Sequence, residues 1–226
     1  MPIALSDIFG DPNVGIFSFA NEKLAVLPAG VSQKKLATYE QALGVEAYGI
    51  GIADSRLVGI YAVGNSNSLL VPYITTEDEL KMLESTGVNV VVVNEKRTAL
   101  GNVILCNDYG AVLDPRLKPA TAEAVEDALK VPVTTSTIGG LPHIGSLATA
   151  SNKGVLANPM IKDSEKKQIA KALNVEVHSG TINSGVPYPR CGVVVNSKGA
   201  VVGSSTSMRK WEAGTRRVDS RSESTV

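Results

Sequence analysis

The chain has 226 residues, 43% of them hydrophobic and 19% charged, with 22 basic side chains balanced by 22 acidic ones. That composition is globular and can bury a sizeable core, while a net charge of zero argues against a protein that coats nucleic acid through long-range attraction alone. Aromatic residues make up only 4%, so the core must be built from Val, Leu, Ile and Ala, and nothing suggests stacking platforms for single-stranded nucleic acid.

The N-terminal Met-Pro-Ile-Ala-Leu-Ser-Asp carries no signal-peptide pattern, and residues 3–9 have the length of one strand. A unit then repeats five times: a glycine opening an apolar strand, an asparagine turn, and in four copies a proline some residues later. The copies begin at Gly15, Gly59, Gly101, Gly145 and Gly192; their turn residues Asn21, Asn65, Asn107, Asn152 and Asn196 lie 44, 42, 45 and 44 residues apart. Such a period marks a repeat architecture.

In the first unit, Ile16-Phe-Ser-Phe19 and Leu24-Ala-Val-Leu27 flank the turn Asn21-Glu-Lys, and Asn tolerates the left-handed backbone a tight hairpin demands. Pro28 cannot continue a ladder, so the chain leaves the sheet there. A helix follows over 32–43, with Leu36, Tyr39 and Leu43 on one stripe, and a third strand is anchored at Val45. The second unit reads Asn65-Ser-Asn-Ser68, Pro72, a helix over 75–85 opened by the capping box Thr76-Glu-Asp-Glu79, and a strand at Val88. The third reads Asn107-Asp-Tyr-Gly110, Pro115, a helix over 121–129 and a strand at Val131. The fourth reads Asn152-Lys-Gly154, Pro159, a helix over 163–173 and a strand at Val175. The fifth, Asn196-Ser-Lys-Gly199, ends at Gly203 without a third strand.

One unit is therefore strand, strand, helix, strand, too small to bury its own sheet and helix, so neighbours must do so for one another. Neither end behaves as a polar cap, which favours a closed ring over an open solenoid, with residues 3–9 supplying the strand that the last copy lacks. The expected organisation is one α/β domain over 1–207, in units of about 10–53, 54–96, 97–140, 141–184 and 185–207, followed by a polar basic tail over 208–226.

Chemistry is sparse. His143 and His178 are the only histidines, Cys106 and Cys191 the only cysteines, and no metal-ligand spacing connects them. Both cysteines lie in strand-like contexts where Cys behaves as a small hydrophobe, consistent with reduced thiols in a cytosolic protein. Gly139-Gly140 before Pro142 suits a turn and not a phosphate loop. The longest strongly apolar run, 90–93, is far short of a membrane span. Charge is uneven: through Pro115 there are 7 basic and 13 acidic residues, leaving 15 and 9 afterwards, partly because Arg209, Lys210, Arg216, Arg217 and Arg221 cluster in the tail.

Val63-Gly-Asn-Ser-Asn-Ser-Leu-Leu-Val-Pro72, Thr98-Ala-Leu-Gly-Asn-Val-Ile-Leu-Cys-Asn-Asp108 and Gly180-Thr-Ile-Asn-Ser-Gly-Val-Pro187 closely resemble the archaeal translation initiation factor 6 family, and the likeness runs from about Asn13 to Ser207. The resemblance implies the pentein fold, a closed fivefold pseudosymmetric ring. It also implies binding to the intersubunit face of the large ribosomal subunit, with contact to a ribosomal protein near the sarcin-ricin loop, and steric blocking of small-subunit joining. Such a cytoplasmic, monomeric factor needs no active site, cofactor or metal. The expected ribosome-binding residues are an exposed rim of turns: Asn65, Asn67, Asn107, Asp108, Tyr109 and Asn196, with Asn107 first. After Ser207 the family pattern of a fifth amphipathic helix gives way to Met208-Arg-Lys-Trp-Glu-Ala-Gly214. Two alternatives stand beside this reading. One is a guanidine-modifying enzyme of the same fold using Cys191, and the other a non-ribosomal scaffold.

Overall fold

The five asparagine turns do join paired strands, and residues 1–206, those described in a computed structural model of the protein, contain five three-stranded sheets. In the first unit a short helix α1 (Val14–Phe17) leads into β2 (Phe19–Ala20), which pairs antiparallel with β3 (Leu24–Leu27); helix α2 (Gln33–Leu43) then crosses over to β4 (Glu46–Gly49), parallel to β3. The second unit repeats this with α3 (Val58–Tyr61), β5 (Val63–Gly64), β6 (Leu69–Pro72), α4 (Glu77–Glu84) and β7 (Val90–Val93). The third uses α5 (Leu100–Val103), β8 (Ile104–Cys106), β9 (Ala111–Leu113), α6 (Pro119–Leu129) and β10 (Val133–Thr135). The fourth uses α7 (Ile144–Leu147), β11 (Ala148–Ser151), β12 (Gly154–Ala157), α8 (Asp163–Leu173) and β13 (Val177–Ser179). The fifth comprises α9 (Pro189–Gly192), β14 (Val193–Val195) and β15 (Ala200–Gly203), and its third strand is β1 (Ile3–Ser6), parallel to β15 from Ile3↔Ala200 to Ser6↔Gly203. Residues 208–226, and with them the questions of a basic tail and a fifth helix, lie outside the described residues.

The long helices start where their caps dictate. Ser32 accepts a hydrogen bond from the Lys35 N–H, and Thr76 and Glu79 complete a reciprocal capping box. Helix α6 starts at Pro119, two residues ahead of the expected Thr121, because Pro at the first turn has no N–H to leave unpaired. Each long helix spans two sheets: α2 touches β3 and β4 of its own unit and β15 and β1 of the fifth, α6 touches β10 and β7, and α8 touches β13 and β9. Fully buried Leu83 of α4 packs with Phe19, Leu24 and Val26 of the first unit. Burial of such side chains contributes about 1.5–3 kcal/mol each.

The repeat glycines correct the sequence reading. They do not open strands; Gly15, Gly59, Gly101, Gly145 and Gly192 each lie in a four-residue helix. These short helices contact one another in the order α1, α3, α5, α7, α9 and back to α1. A Cβ on Gly59 would collide with the Gly15 carbonyl, one on Gly101 with that of Gly59, one on Gly145 with that of Gly101, and one on Gly15 with that of Arg190. Close backbone approach, and not backbone conformation, is what demands glycine here.

Candidate docking face

Within each sheet the second and third strands run parallel, so the asparagine turns and the C-termini of the long helices gather at one end of the molecule. At this end Asn21, Asn65, Asn107 and Asn196 are buried, none more than 6% exposed. The expected exposed rim is corrected for Asn65, Asn107 and Asn196. Their side chains face the neighbouring unit because the carboxamide satisfies two sets of backbone groups at once. In Asn107 the carbonyl oxygen accepts from the N–H groups of Tyr109 and Gly110 at 2.9 and 3.1 Å, while the amide donates to Ser151 O at 3.2 Å and Leu173 O at 2.8 Å in the next unit. Asn65 donates likewise to Asn107 O and Leu129 O, Asn196 to Asn21 O and Leu43 O, and Asn21 to Asn65 O.

Asn152 is not the fourth member of this set. The residue in the equivalent hairpin position is Ser151, which pairs with Gly154 across the turn and receives the Asn107 amide. Asn152 stands where Asp108 stands in the third unit, and the two bind each other: Asn152 Nδ2 donates to Asp108 Oδ2 at 2.7 Å, and the Asp108 N–H donates to Asn152 Oδ1 at 2.9 Å. Asp108 also accepts from the N–H and hydroxyl of Ser66, both at 2.7 Å. Glu22 does the same for Ser197.

Solvent meets the third turn position: Lys23, Asn67, Tyr109, Lys153 and Lys198 are all exposed, Tyr109 at 48%. Of the expected residues, Asn67 and Tyr109 lie in this outer layer and Asp108 is half-buried beneath it. The three lysines escaped the sequence reading, although aligning the turns on that position shows them. Of these, Lys198 sits at the negative end of α2, donating to the Gly44 carbonyl at 3.0 Å.

Both thiols are shifted away from the thiolate, the opposite of what activates a nucleophile. Burial pushes the Cys106 thiol up to about 12, and burial raises Cys191 as well, against the opposing charge of Arg190. Of the histidines, His143 faces the Arg116 guanidinium at 3.4 Å and His178 pairs with Glu176 at 3.3 Å. Among the described residues no three His, Cys, Asp or Glu side chains cluster as a metal site would need, and no helix is long and apolar enough to cross a membrane.

The fold and the site together define a repeat protein of five α/β units whose turns are locked into one rigid face. The chain belongs to the eIF-6 family, which matches residues 3–211. It is 36% identical over 200 residues to translation initiation factor 6 of Pyrobaculum arsenaticum, covering 88% of this chain and 91% of that one, and 35% identical over 205 residues to translation initiation factor 6 of Methanocaldococcus jannaschii, covering 88% and 90%. Among solved structures, the N-terminal domain of the arginine dihydrolase ArgZ from Cyanobacteria aligns with a TM-score of 0.48 at 13% identity, over 74% of this chain and 67% of that one. A likeness of that degree carries no weight for function.

Proposed function

We propose that the protein is a translation initiation factor that binds the intersubunit face of the large ribosomal subunit and sterically prevents the small subunit from joining. It works as a cytoplasmic monomer without catalysis, on a pentein ring of five units that closes through β1, and it contacts a ribosomal protein near the sarcin-ricin loop. The observation that carries this reading is the family match across residues 3–211, which includes every turn of the docking end. The geometry supports it in a second way: a face held by carboxamide locks loses little freedom on binding, so its contacts convert efficiently into affinity.

On this reading Asn67, Tyr109 and Asp108 touch the subunit directly, with Lys23, Lys153 and Lys198 beside them, whereas Asn65, Asn107 and Asn196 hold the turns that present them. Tyr109 offers the large amphipathic side chain that interface centres favour. Sucrose gradients of purified subunits test the proposal. The protein is expected to co-migrate with large subunits and to deplete the joined particle, and Tyr109→Ala with Asn67→Arg is expected to weaken both effects in a folded chain. An unchanged joined peak at saturating protein would sink the anti-association role. Full activity of the double variant would instead move docking to the opposite end, where Phe9, Leu57, Leu141 and Tyr188 are exposed.

A further inference from the structure

At the start of three long helices a carboxylate ties the helix to the turn that precedes its unit. In the second unit Glu79 Oε2 accepts from the N–H groups of Ala53 and of the N-cap residue Thr76, at 2.8 and 2.9 Å, while Oε1 accepts from Asp54 at 2.9 Å. In the fourth, Glu165 Oε2 accepts from Gly139 and the N-cap residue Lys162, at 2.8 and 2.9 Å, and Oε1 from Gly140 at 3.0 Å. The third unit takes its carboxylate from the turn itself, where buried Glu95 accepts from the Thr121 hydroxyl of α6 at 2.9 Å. Burial alone would raise Glu95 and Glu165, but these donors outweigh it and hold both below their ordinary value.

The first unit has the same frame and a different side chain. Its turn closes through Ile8 and Asp11 with the bridge seen at Ile52 and Ser55 and at Ile138 and Leu141, and Phe9 and Gly10 share the left-handed backbone of Ala53 and Asp54. Ser32 caps α2 with the extended backbone of Thr76 and Lys162. In the helix position of Glu79 and Glu165, however, stands Lys35, whose ammonium group reaches Ser6 Oγ at 3.2 Å and Asp7 Oδ1 at 3.5 Å. Asp7 accepts the Gly10 N–H at 3.3 Å. The N–H groups of Phe9 and Ser32, whose counterparts share one carboxylate oxygen, have no acceptor among the described residues. Both residues are exposed, and with Ile8, Gly30, Val31 and Lys35 they line an open pocket of about 160 Å³.

We infer that this pocket is a binding site for a carboxylate, from an acidic side chain of a partner protein or from a small free acid, with one oxygen placed as Oε2 is in Glu79 and Glu165. That oxygen accepts from the Phe9 and Ser32 N–H groups, and donors of this kind bind an ionised acceptor strongly. The fixed charges nearby are Lys35 and Arg56, the latter 4.8 Å over the Phe9 ring, against Asp7 and Asp11. Asp7 is already paired with Lys35, and Asp11 accepts from the Asn13 N–H at 2.8 Å.

Amide resonances of the isotope-labelled full chain at pH 7 test this, with sodium acetate as the probe and sodium chloride at equal ionic strength as the reference. Acetate should move the Phe9 and Ser32 amide protons downfield until they saturate. Those of Ala53, Thr76, Gly139 and Lys162, already bound by Glu79 and Glu165, should stay in place. A blocked peptide with a single glutamate separates the two sources: saturation at lower concentration than acetate assigns a partner's side chain, and saturation by acetate first assigns a small acid. Lys35→Glu supplies the carboxylate from within the chain, so its Phe9 and Ser32 resonances should start at the acetate-bound positions and no longer respond. Acetate shifts no larger than those in chloride, or a response that survives in Lys35→Glu, would overturn the assignment.

Discussion

Asn107 binds two units with one side chain, and its four hydrogen bonds to backbone groups, three of them buried, set the cost of losing it. Truncation to Ala leaves the Ser151 and Leu173 carbonyls without this donor and the Tyr109 and Gly110 amides without their acceptor, so Asn107→Ala should cost about 3 kcal/mol. Asn152→Ala removes only half-buried partners and should cost about 1 kcal/mol or less. Urea midpoints at constant m separate the two, and equal shifts would contradict the lock. Glu165 makes a similar argument with charge. Burial alone would raise its pKa, but hydrogen bonds from Thr137 and from the N–H groups of Lys162, Gly140 and Gly139 outweigh burial and hold it below the ordinary value of 4.5. Its contribution is therefore present above pH 4.5 and lost as pH falls through the lower folded value. Glu165→Gln should flatten that acid loss, seen by comparing urea midpoints at pH 6 and in acid; an unaltered slope would place the linkage elsewhere. The turn-forming role of the asparagines was legible in the sequence because it depends on neighbouring residues alone. Their reach into the next unit was not, since the partners lie 42 to 66 residues further on.

At the scale of elements, legibility followed length. The helix at Asp163–Leu173 is where its apolar spacing puts it, and α2 and α4 differ only at their ends. Four-residue helices carry too little sequence to show a 3.6-residue period, so α1, α3, α5, α7 and α9 were read as the starts of strands. The glycine inside each one recorded a packing constraint instead. In Gly59→Ala the new methyl would meet the Gly15 and Ser18 carbonyls, and α1 and α3 would have to separate. A loss of at least 1–3 kcal/mol is expected, as for other overpacked sites. Gly154→Ala is the matched control: its Cβ meets nothing nearer than the Glu176 carbonyl at 3.6 Å, so stability should change by about 0.5 kcal/mol or less. Calorimetric Tm values for the two variants check the pair, and a tolerated Gly59→Ala would mean that the short helices are not closely packed in solution.

For the whole molecule, the question is whether five similar joints are equally strong. The carboxamide locks run from the fifth unit to the first, and onward to the second, third and fourth, where Ser151 replaces Asn and, among the described residues, no side chain of that kind reaches on to the fifth. There Asn158 instead donates to the Pro187 carbonyl. Local opening should therefore begin between the fourth and fifth units, because the free energy of such openings follows the backbone groups that stay paired across a joint. Ser151→Asn supplies the missing lock. By the pattern of Asn65 and Asn107, its amide should donate to the Asn196 carbonyl, adding about 1 kcal/mol and raising Tm by about 2–4 °C. Amide exchange in β14 should slow by the corresponding factor of about 5 while exchange in β6 stays unchanged at the level of local opening. A Tm that falls, or slowing spread evenly over all five sheets, would show that position 151 is not equivalent to the locks and that the joints do not act in series.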